Sequence, residues 1–307
     1  MGSRKYGSPG FRQGGQEPPC RWKRGARCSR LVGLRAAFAL VVLLGGCYGT
    51  TPRPAGPHSI GAAGAGVLVD GVPFPERGVG FTRARPGEAT RFGTPRLVGA
   101  LERALGSVME RFSGTVPTRV GDLSWPHGGR HPRHHSHRTG RDADVLFFAM
   151  DATGRPVRTG GWLAFSRFGY AFDPASGETY LYDDARNWHF VRTLVLDPES
   201  EVQWIFVSRG LETRLLDYAL AHEPSPDAIV RAAYVLLQPE NASPHDDHFH
   251  VRVYCSTEDR AAGCRDTGPR WPWLRPDVER TPSHEGPGLD DASLLAALLD
   301  GPDPAAP

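Results

Sequence analysis

The chain has 307 residues, of which 39% are hydrophobic and 23% charged, and this composition excludes a disordered, collagen-like or multi-span membrane protein. The formal net charge is +2, but residues 1–46 carry nine Lys and Arg against Glu17 alone, a balance of +8 that leaves −6 for the rest. The mildly acidic body gives no electrostatic reason to expect a nucleic-acid partner, and we predict none.

The N-terminal segment has the layout of an export signal. A basic stretch precedes the apolar run 36–44, and a Leu-Gly-Gly-Cys sequence then ends at Cys47. A run of about nine residues is too short to cross a ~30 Å hydrocarbon core as a helix. We therefore predict a signal peptide over residues 1–46 rather than a permanent anchor.

The Leu-Gly-Gly-Cys sequence resembles the bacterial lipobox, whose cysteine is diacylated and becomes the first residue of the mature protein. The resemblance implies lipidation of Cys47 and a membrane as partner, while ordinary cleavage nearby and an uncleaved anchor stay open. Because Tyr48 rather than an aspartate follows Cys47, we expect a periplasm-facing lipoprotein of the outer rather than the inner membrane.

The remaining chain divides by composition into three parts. Residues 47–66 are rich in Gly, Pro and Ala, which predicts a flexible tether. Residues 275–307 form a Pro/Gly-rich tail with one short helical candidate at 291–299. Between them, residues 67–274 are expected to form one domain.

Helices and strands within this domain are predicted from caps and periodicity. Thr94 and Pro95 are typical of a helix start, and leucines at helical spacing follow until Gly114. Two further helices are predicted over 184–196 and 225–237. Segments rich in Val, Ile, Phe and Trp predict strands at 117–123, 143–150, 202–207 and 248–254.

This order of elements favours an α+β fold, with a small, mostly antiparallel sheet and flanking helices in a single domain. A parallel α/β arrangement is the alternative. Two cysteines of the domain, Cys255 and Cys264, lie nine residues apart, and export would favour a disulfide between them. Two buried thiols or a soft metal pair is the other interpretation.

Histidine is concentrated in two short segments. They hold eight of the twelve histidines, namely His127, His131, His134, His135, His137, His245, His248 and His250. One explanation is a tract that scavenges metal without fixed geometry, or histidines satisfied at the surface. The spacing favours a defined site instead.

Polar and apolar residues alternate over 247–254, so Phe249 and Val251 face a core while His248 and His250 project side by side from the other face. The first segment runs through Gly140 into a strand. Ala143, Val145 and Phe147 lie on one face of this strand, and Asp144 is the first residue on the other face. A loop histidine and this aspartate can converge with the strand histidines on one ion. Two histidines, one carboxylate and an open position are typical of catalytic zinc. The same donors also suit non-haem iron.

The pattern His137-x6-Asp144 with His248-x-His250 downstream resembles the zinc signature of the lysostaphin, D-Ala-D-Ala peptidase and hedgehog superfamily. The longer segments His-His-Ser-His-Arg-Thr-Gly-Arg-Asp-Ala-Asp, ending at Asp144, and His-Asp-Asp-His-Phe-His, ending at His250, resemble the penicillin-insensitive murein endopeptidases. The resemblance covers about 67–265.

The resemblance implies a role for each matching residue. His137, Asp144 and His250 would be zinc ligands, and His248 the catalytic histidine. His134 would be an accessory ligand or a neighbour of the ligands, and His245 and Asp246 would lie behind them. The histidines His127, His131 and His135 are expected on the loop surface.

The resemblance further implies a zinc metallopeptidase that hydrolyses the D-alanyl to meso-diaminopimelyl cross-link of peptidoglycan, without a serine nucleophile. Arg130, Arg138 and Arg141 flank the first motif and are candidates to bind a substrate carboxylate. The alternatives are a carboxypeptidase acting on a terminal D-Ala or L,D bond of the same substrate, and a lipoprotein that binds metal or peptidoglycan without turnover.

Overall fold

The structure is a computed structural model, and it describes residues 55–240 and 242–274. The predicted signal peptide, Cys47, the first part of the predicted tether and the predicted tail with its helical candidate lie outside the described residues. Within the described ranges, no helix has the length and apolar character needed to cross a membrane.

Five helices occur among the described residues. They are α1 (Pro95–Arg111), α2 (Asp184–Leu196), α3 (Arg209–His222), α4 (Pro226–Val235) and α5 (Thr257–Ala261). The start of α1 follows from its sequence, because the Thr94 side chain accepts a hydrogen bond from the backbone N–H of Leu97 and Pro95 needs no such partner. Its leucines are buried on one face, as their spacing predicts.

Strands of two to six residues make up the rest of the regular structure in the described chain. They are β1 (His58–Ala62), β2 (Ala65–Val69), β3 (Val72–Pro73), β4 (Arg77–Gly78), β5 (Phe81–Arg83), β6 (Phe92–Gly93), β7 (Thr118–Val120), β8 (Asp142–Leu146), β9 (Ala149–Met150), β10 (Pro156–Val157), β11 (Tyr170–Asp173), β12 (Glu178–Tyr182), β13 (Val202–Phe206), β14 (Leu236–Leu237) and β15 (His248–Val253).

The main sheet has seven strands in the order β14-β13-β15-β8-β7-β5-β4. Only the pairs β13 with β14 and β5 with β7 are parallel, and the other four pairs are antiparallel. A second sheet has the order β10-β9-β12-β11. The prediction of an α+β fold with a mostly antiparallel sheet is confirmed.

The central pair of the main sheet, β8 and β15, positions the two histidine-rich segments. Its antiparallel register places His250 opposite Asp144 and His248 opposite Leu146. On the other face Val145 and Phe249 enter the hydrophobic core, where the Phe249 ring stacks on Phe190 of α2. The predicted alternation of polar and apolar side chains is therefore present in the folded strand.

Several element boundaries differ from prediction. The segment 225–237 is α4 followed by β14, which pairs with β13, and the segment 143–150 divides into β8 and β9 of two different sheets. Helix α3 was not predicted, although Leu211, Leu215 and Ala219 are buried at four-residue intervals. This spacing of apolar residues is typical of a helix, so α3 could have been predicted from the sequence.

The predicted tether 47–66 is wrong in its second half. Residues 58–62 form β1, which pairs with β2 in a hairpin. The backbone N–H of Ser59 donates to the Asp259 carboxylate at 2.8 Å, and the N–H of Gly61 donates to the Gly263 carbonyl at 3.0 Å. Small residues here allow close backbone approach instead of flexibility, so the domain begins before residue 67.

Cys255 and Cys264 are joined in a disulfide that closes the segment carrying α5. Both cysteines are buried. The bond ties the end of β15 to the residues that contact the N-terminal hairpin.

Candidate metal centre

Asp144 lies at the centre of the two histidine-rich segments. Its side chain is fully buried, and within the described chain neither carboxylate oxygen has a hydrogen-bond partner. Four imidazoles face it instead, with ring nitrogens of His134, His137, His248 and His250 between 3.2 and 3.6 Å from its oxygens. A buried carboxylate surrounded by ring nitrogens is a typical donor set for a divalent metal.

The orientation of His137 leaves one ring nitrogen available. Nδ1 lies 3.2 Å from the backbone carbonyl of Leu123, which fixes Nδ1 as the donor. Nε2 is buried, has no hydrogen-bond partner in the described chain, and lies 3.3 Å from Asp144 Oδ1. His137 has a φ of 60°, a left-handed conformation that costs on the order of 1–3 kcal/mol and is concentrated at functional sites.

His250 is oriented in the same way from the neighbouring strand. Its Nε2 lies 2.8 Å from Asp142 Oδ1, and its Nδ1 lies 3.6 Å from Asp144 Oδ1. Asp142 is itself held by Arg252, whose Nε donates to it at 2.6 Å. A histidine that donates one N–H to a carboxylate and presents the other nitrogen to the site is the usual arrangement of a metal ligand.

His248 stands beside this donor set and contacts a different carboxylate. Its Nδ1 is hydrogen-bonded to Asp247, and its Nε2 lies 3.4 Å from Asp144 Oδ1. The ring is mostly buried, with 13% of the side chain exposed. It is thus more exposed than His137 and His250, whose side chains are 0% and 6% exposed.

Burial and neighbouring charges shift the pKa values of these groups. Burial lowers the pKa of His250 to about 4 even though Asp142 opposes the shift, so its ring is neutral at pH 7. Burial also lowers the pKa of His248, but Asp144 and Asp247 outweigh that effect and raise it to about 10. A cation bound at Asp144 would remove the larger of these two attractions.

The pKa of Asp144 itself is held well below its ordinary range. Burial would raise it, but His137, His134 and His248 lower it by more. The carboxylate is thus ionised and accepts no hydrogen bond in the described chain. Such a group is costly to bury without a cation.

His134 bridges two carboxylates. Its Nε2 is 3.2 Å from Asp144 and 3.1 Å from Asp122, and its ring stacks on that of His137. Asp122 also accepts hydrogen bonds from Arg133 and Thr90. The position fits either of the two roles that the resemblance implies for His134.

His245 lies behind the strand histidines. Its ring centre is 5.4 Å from that of His248 and 5.7 Å from that of His250, and its buried Nδ1 has no hydrogen-bond partner in the described ranges. Burial is the main cause that lowers its pKa to about 2. Asp246 contributes a backbone carbonyl, which accepts the N–H of Phe165, while the carboxylate that contacts His248 belongs to Asp247.

Three sets of three possible ligands therefore meet at this place. Within each set the ligand atoms lie within 4.8 Å of one another, and the sets are His134, His137 and Asp144; His245, His248 and His250; and Asp122, His131 and His134. The predicted ligands His137, Asp144 and His250 come together across β8 and β15. Their unpartnered and oriented nitrogens and oxygens fit a metal ion.

Two sequence-based expectations around the site are wrong. His131 was expected on the surface but is only 5% exposed, with its ring packed 4.8 Å from that of His134. Arg141 was a candidate for substrate binding, but it is 1% exposed and donates to Asp266 and to the carbonyls of Val253 and Arg265. A side chain with these partners cannot reach a macromolecular substrate.

The remaining candidates are distributed as follows. Arg130 is exposed and Arg138 is half-buried, while His127 and His135 are exposed as expected. Sequence reasoning missed the contribution of Asp122 and Asp142. Asp142 could have been found, because in a strand it shares a face with Asp144, two residues away.

Replacing Arg141 with methionine is expected to lower the free energy of unfolding by about 3 kcal/mol, because it breaks the ion pair of this buried guanidinium with Asp266 and removes the donor of two carbonyls. Urea unfolding measures this change. The same substitution at the exposed Arg155 is the matched control and should have little effect. Normal stability with impaired substrate binding would restore the original interpretation of Arg141.

Comparison with known proteins agrees with this geometry. Residues 59–272 match the family model described as penicillin-insensitive murein endopeptidase. The chain belongs to this family, which confirms the resemblance seen in its motifs. The matched range begins within β1, in agreement with a domain that starts before residue 67.

Curated relatives carry the same name. A penicillin-insensitive murein endopeptidase of Klebsiella pneumoniae subsp. pneumoniae is 35% identical over 98 residues, which is 32% of this chain and 35% of that protein. One of Haemophilus influenzae is 26% identical over 219 residues, 68% of this chain and 67% of that protein. The chain thus spans about a third of the length of the Klebsiella relative and two thirds of the Haemophilus one.

Proposed function

We propose that this protein is a zinc-dependent murein endopeptidase that hydrolyses the D-alanyl to meso-diaminopimelyl cross-link of peptidoglycan. The observation that carries the proposal is the buried donor set, in which Nε2 of His137 and both oxygens of Asp144 have no hydrogen-bond partner in the described chain and face one point. The family and the names of its relatives support the substrate.

His137, Asp144 and His250 would hold the zinc ion, with His134 as an accessory contact. When bound, zinc supplies a Lewis acid that polarises a carbonyl and makes water acidic enough to attack it at neutral pH. The chain's own contribution is orientation, since the Leu123 carbonyl fixes His137 and Asp142 fixes His250.

His248 is the residue assigned to proton transfer. A cation held by Asp144 would weaken the attraction of that carboxylate for a proton on His248, and the His248 Nε2 would then take a proton from water and return it to the leaving amine. Asp247 contacts Nδ1 and so keeps Nε2 directed into the site. Arg130 and Arg138 are proposed to bind a carboxylate of the substrate peptide.

The proposal includes export and membrane attachment. The basic and apolar leader, the Leu-Gly-Gly-Cys sequence and Tyr48 support a periplasm-facing lipoprotein, anchored through Cys47 to the outer membrane. The disulfide between Cys255 and Cys264 is consistent with an oxidising compartment.

The proposed activity is tested by digesting purified cross-linked muropeptide dimers and analysing the products by mass spectrometry. We expect conversion of dimers to intact tetrapeptide monomers, loss of this conversion after treatment with a chelator, and recovery with zinc. Recovery with ferrous iron but not zinc would contradict the assigned metal.

Other products would identify the alternatives. Release of a terminal residue from intact dimers would show a carboxypeptidase. No change in the dimers, with zinc still bound, would show a binding protein without turnover.

A further inference from the structure

A tryptophan that the family motifs do not include lies against the proposed proton-transfer residue. The indole of Trp162 meets the imidazole of His248 edge to face, with ring centres 5.1 Å apart and planes at 84°. Trp162 lies in the irregular segment between β10 and β11 and is half-buried.

The indole also contacts a charged pair. The Arg85 guanidinium stacks on the Trp162 ring at 5.0 Å and is ion-paired with Asp122 at 3.1 Å. A cation over an aromatic face is attracted to the ring electrostatically. Trp162 is thus connected through Arg85 to a carboxylate that also contacts His134.

A glycine makes room for this ring. A Cβ atom on Gly121 would lie 2.4 Å from the indole of Trp162 and 3.1 Å from Cβ of Asp144. Any side chain at position 121 would therefore force the indole to move from this place. The absence of a side chain at this residue allows Trp162 to approach the site closely.

The segment that carries Trp162 is fixed at both ends. Before it, Arg119 donates to the backbone carbonyls of Thr159 and Gly160. After it, the N–H of Phe165 donates to the carbonyl of Asp246 at 2.7 Å, two residues from His248. The segment is thereby tied both to β7 and to the start of β15, and the indole has a defined place between them.

Each carboxylate near His248 also has another partner. Its Nδ1 partner Asp247 has 25% of its side chain exposed, so water competes for that carboxylate. Its other near carboxylate, Asp144, would be engaged by the metal. The indole of Trp162, packed nearly at right angles to the imidazole, adds a contact that would limit rotation of this ring.

We propose that Trp162 is a positioning residue that holds the His248 imidazole in the orientation needed for proton transfer. The inference rests on the proposed function, because it assigns Trp162 a role through His248. Misplacement of a reacting group by about 1 Å can cost on the order of 100-fold in rate. Loss of the indole should therefore change turnover rather than substrate binding.

The test compares Trp162→Ala and Trp162→Phe in the zinc-loaded protein, with muropeptide dimers as substrate. We expect Trp162→Ala to lower kcat by about 10- to 100-fold, with KM and bound zinc unchanged. Trp162→Phe should recover most of the loss, because a phenyl edge still contacts the imidazole. Trp273→Ala is the matched control, since Trp273 is another half-buried tryptophan, packed against Tyr234 and Arg231 outside the site.

A second readout does not depend on hydrolysis. In the metal-free protein with labelled histidine, the ring protons of His248 are assigned by their loss in His248→Gln. We expect Trp162→Phe and Trp162→Ala to shift these resonances and Trp273→Ala to leave them in place. If the wild-type protein cuts no dimers, the proposed function fails while this measurement still tests the contact.

An unchanged kcat in Trp162→Ala would overturn the inference, as would a loss of kcat that occurs together with loss of zinc. His248 resonances that do not respond to either substitution would overturn it too. A rise in KM alone would also contradict it, because it would show Trp162 to be a substrate contact instead of a positioning residue.

Discussion

His248→Ala is expected to lower kcat for dimer cleavage by about 100- to 10,000-fold while the protein still binds zinc, because a positioned acid or base contributes that much to the rate. The imidazole faces the donor set through Nε2, and its orientation is fixed by Asp247 and Trp162. Steady-state kinetics and metal analysis of the same preparation measure the two effects separately.

His222→Ala is the matched control for this substitution. His222 is exposed at the end of α3, where its Nδ1 contacts the carbonyl of Tyr218. We expect its replacement to leave both turnover and zinc content unchanged. Retained cleavage in His248→Ala would refute the proton-transfer role, and loss of zinc in that variant would instead make His248 a ligand.

Asp144→Asn is expected to weaken zinc binding by on the order of 100-fold or more, since structural zinc sites bind with about 10–16 kcal/mol and Asp144 is one of three proposed ligands. Asparagine keeps the size of the side chain but removes the charge around which four imidazoles are arranged. Hydrolysis should be lost at limiting zinc. Titration with zinc in the presence of a competing indicator measures the affinity.

Asp151→Asn serves as the control, because Asp151 closes an exposed turn through hydrogen bonds to Thr153. It should not alter the affinity for zinc. Normal zinc binding by Asp144→Asn would show that His245, His248 and His250 hold the metal without the carboxylate. That outcome would refute the assigned ligands.

The central part of the site could be predicted because strand alternation is a local property. A period of two over 247–254 is sufficient to place His248 and His250 on one face and Phe249 on the other. The same rule applied to Asp142 and Asp144 gives the face on which the carboxylates lie. Neither inference needs knowledge of the sheet order.

Other features depend on contacts between distant segments and could not be predicted. Arginine is usually a surface residue, but the partners of Arg141 are Asp266 and Arg265, which lie far along the chain. Trp162 belongs to no periodic pattern or motif in the sequence. Its position depends on contacts with Arg85 and Gly121, which lie elsewhere in the chain.

The N-terminal hairpin was missed for a related reason. Its composition of Gly and Ala is typical of a tether, yet Gly66 lies so close to Ile60 that a Cβ would be 2.1 Å from that carbonyl oxygen. Small residues permit either flexibility or close contact, and only the partner strand decides which occurs.

The register between β8 and β15 also has a thermodynamic consequence. Asp142 and His250 are 108 residues apart in sequence, and the donors for the metal meet only when the two strands pair. The unfolded chain therefore lacks the complete set, so ligand binding and folding are linked equilibria. A metal at 1,000 times its dissociation constant would add about 4 kcal/mol to the stability of the native state. The ion would then stabilise the pairing of β8 with β15 as well as take part in the reaction.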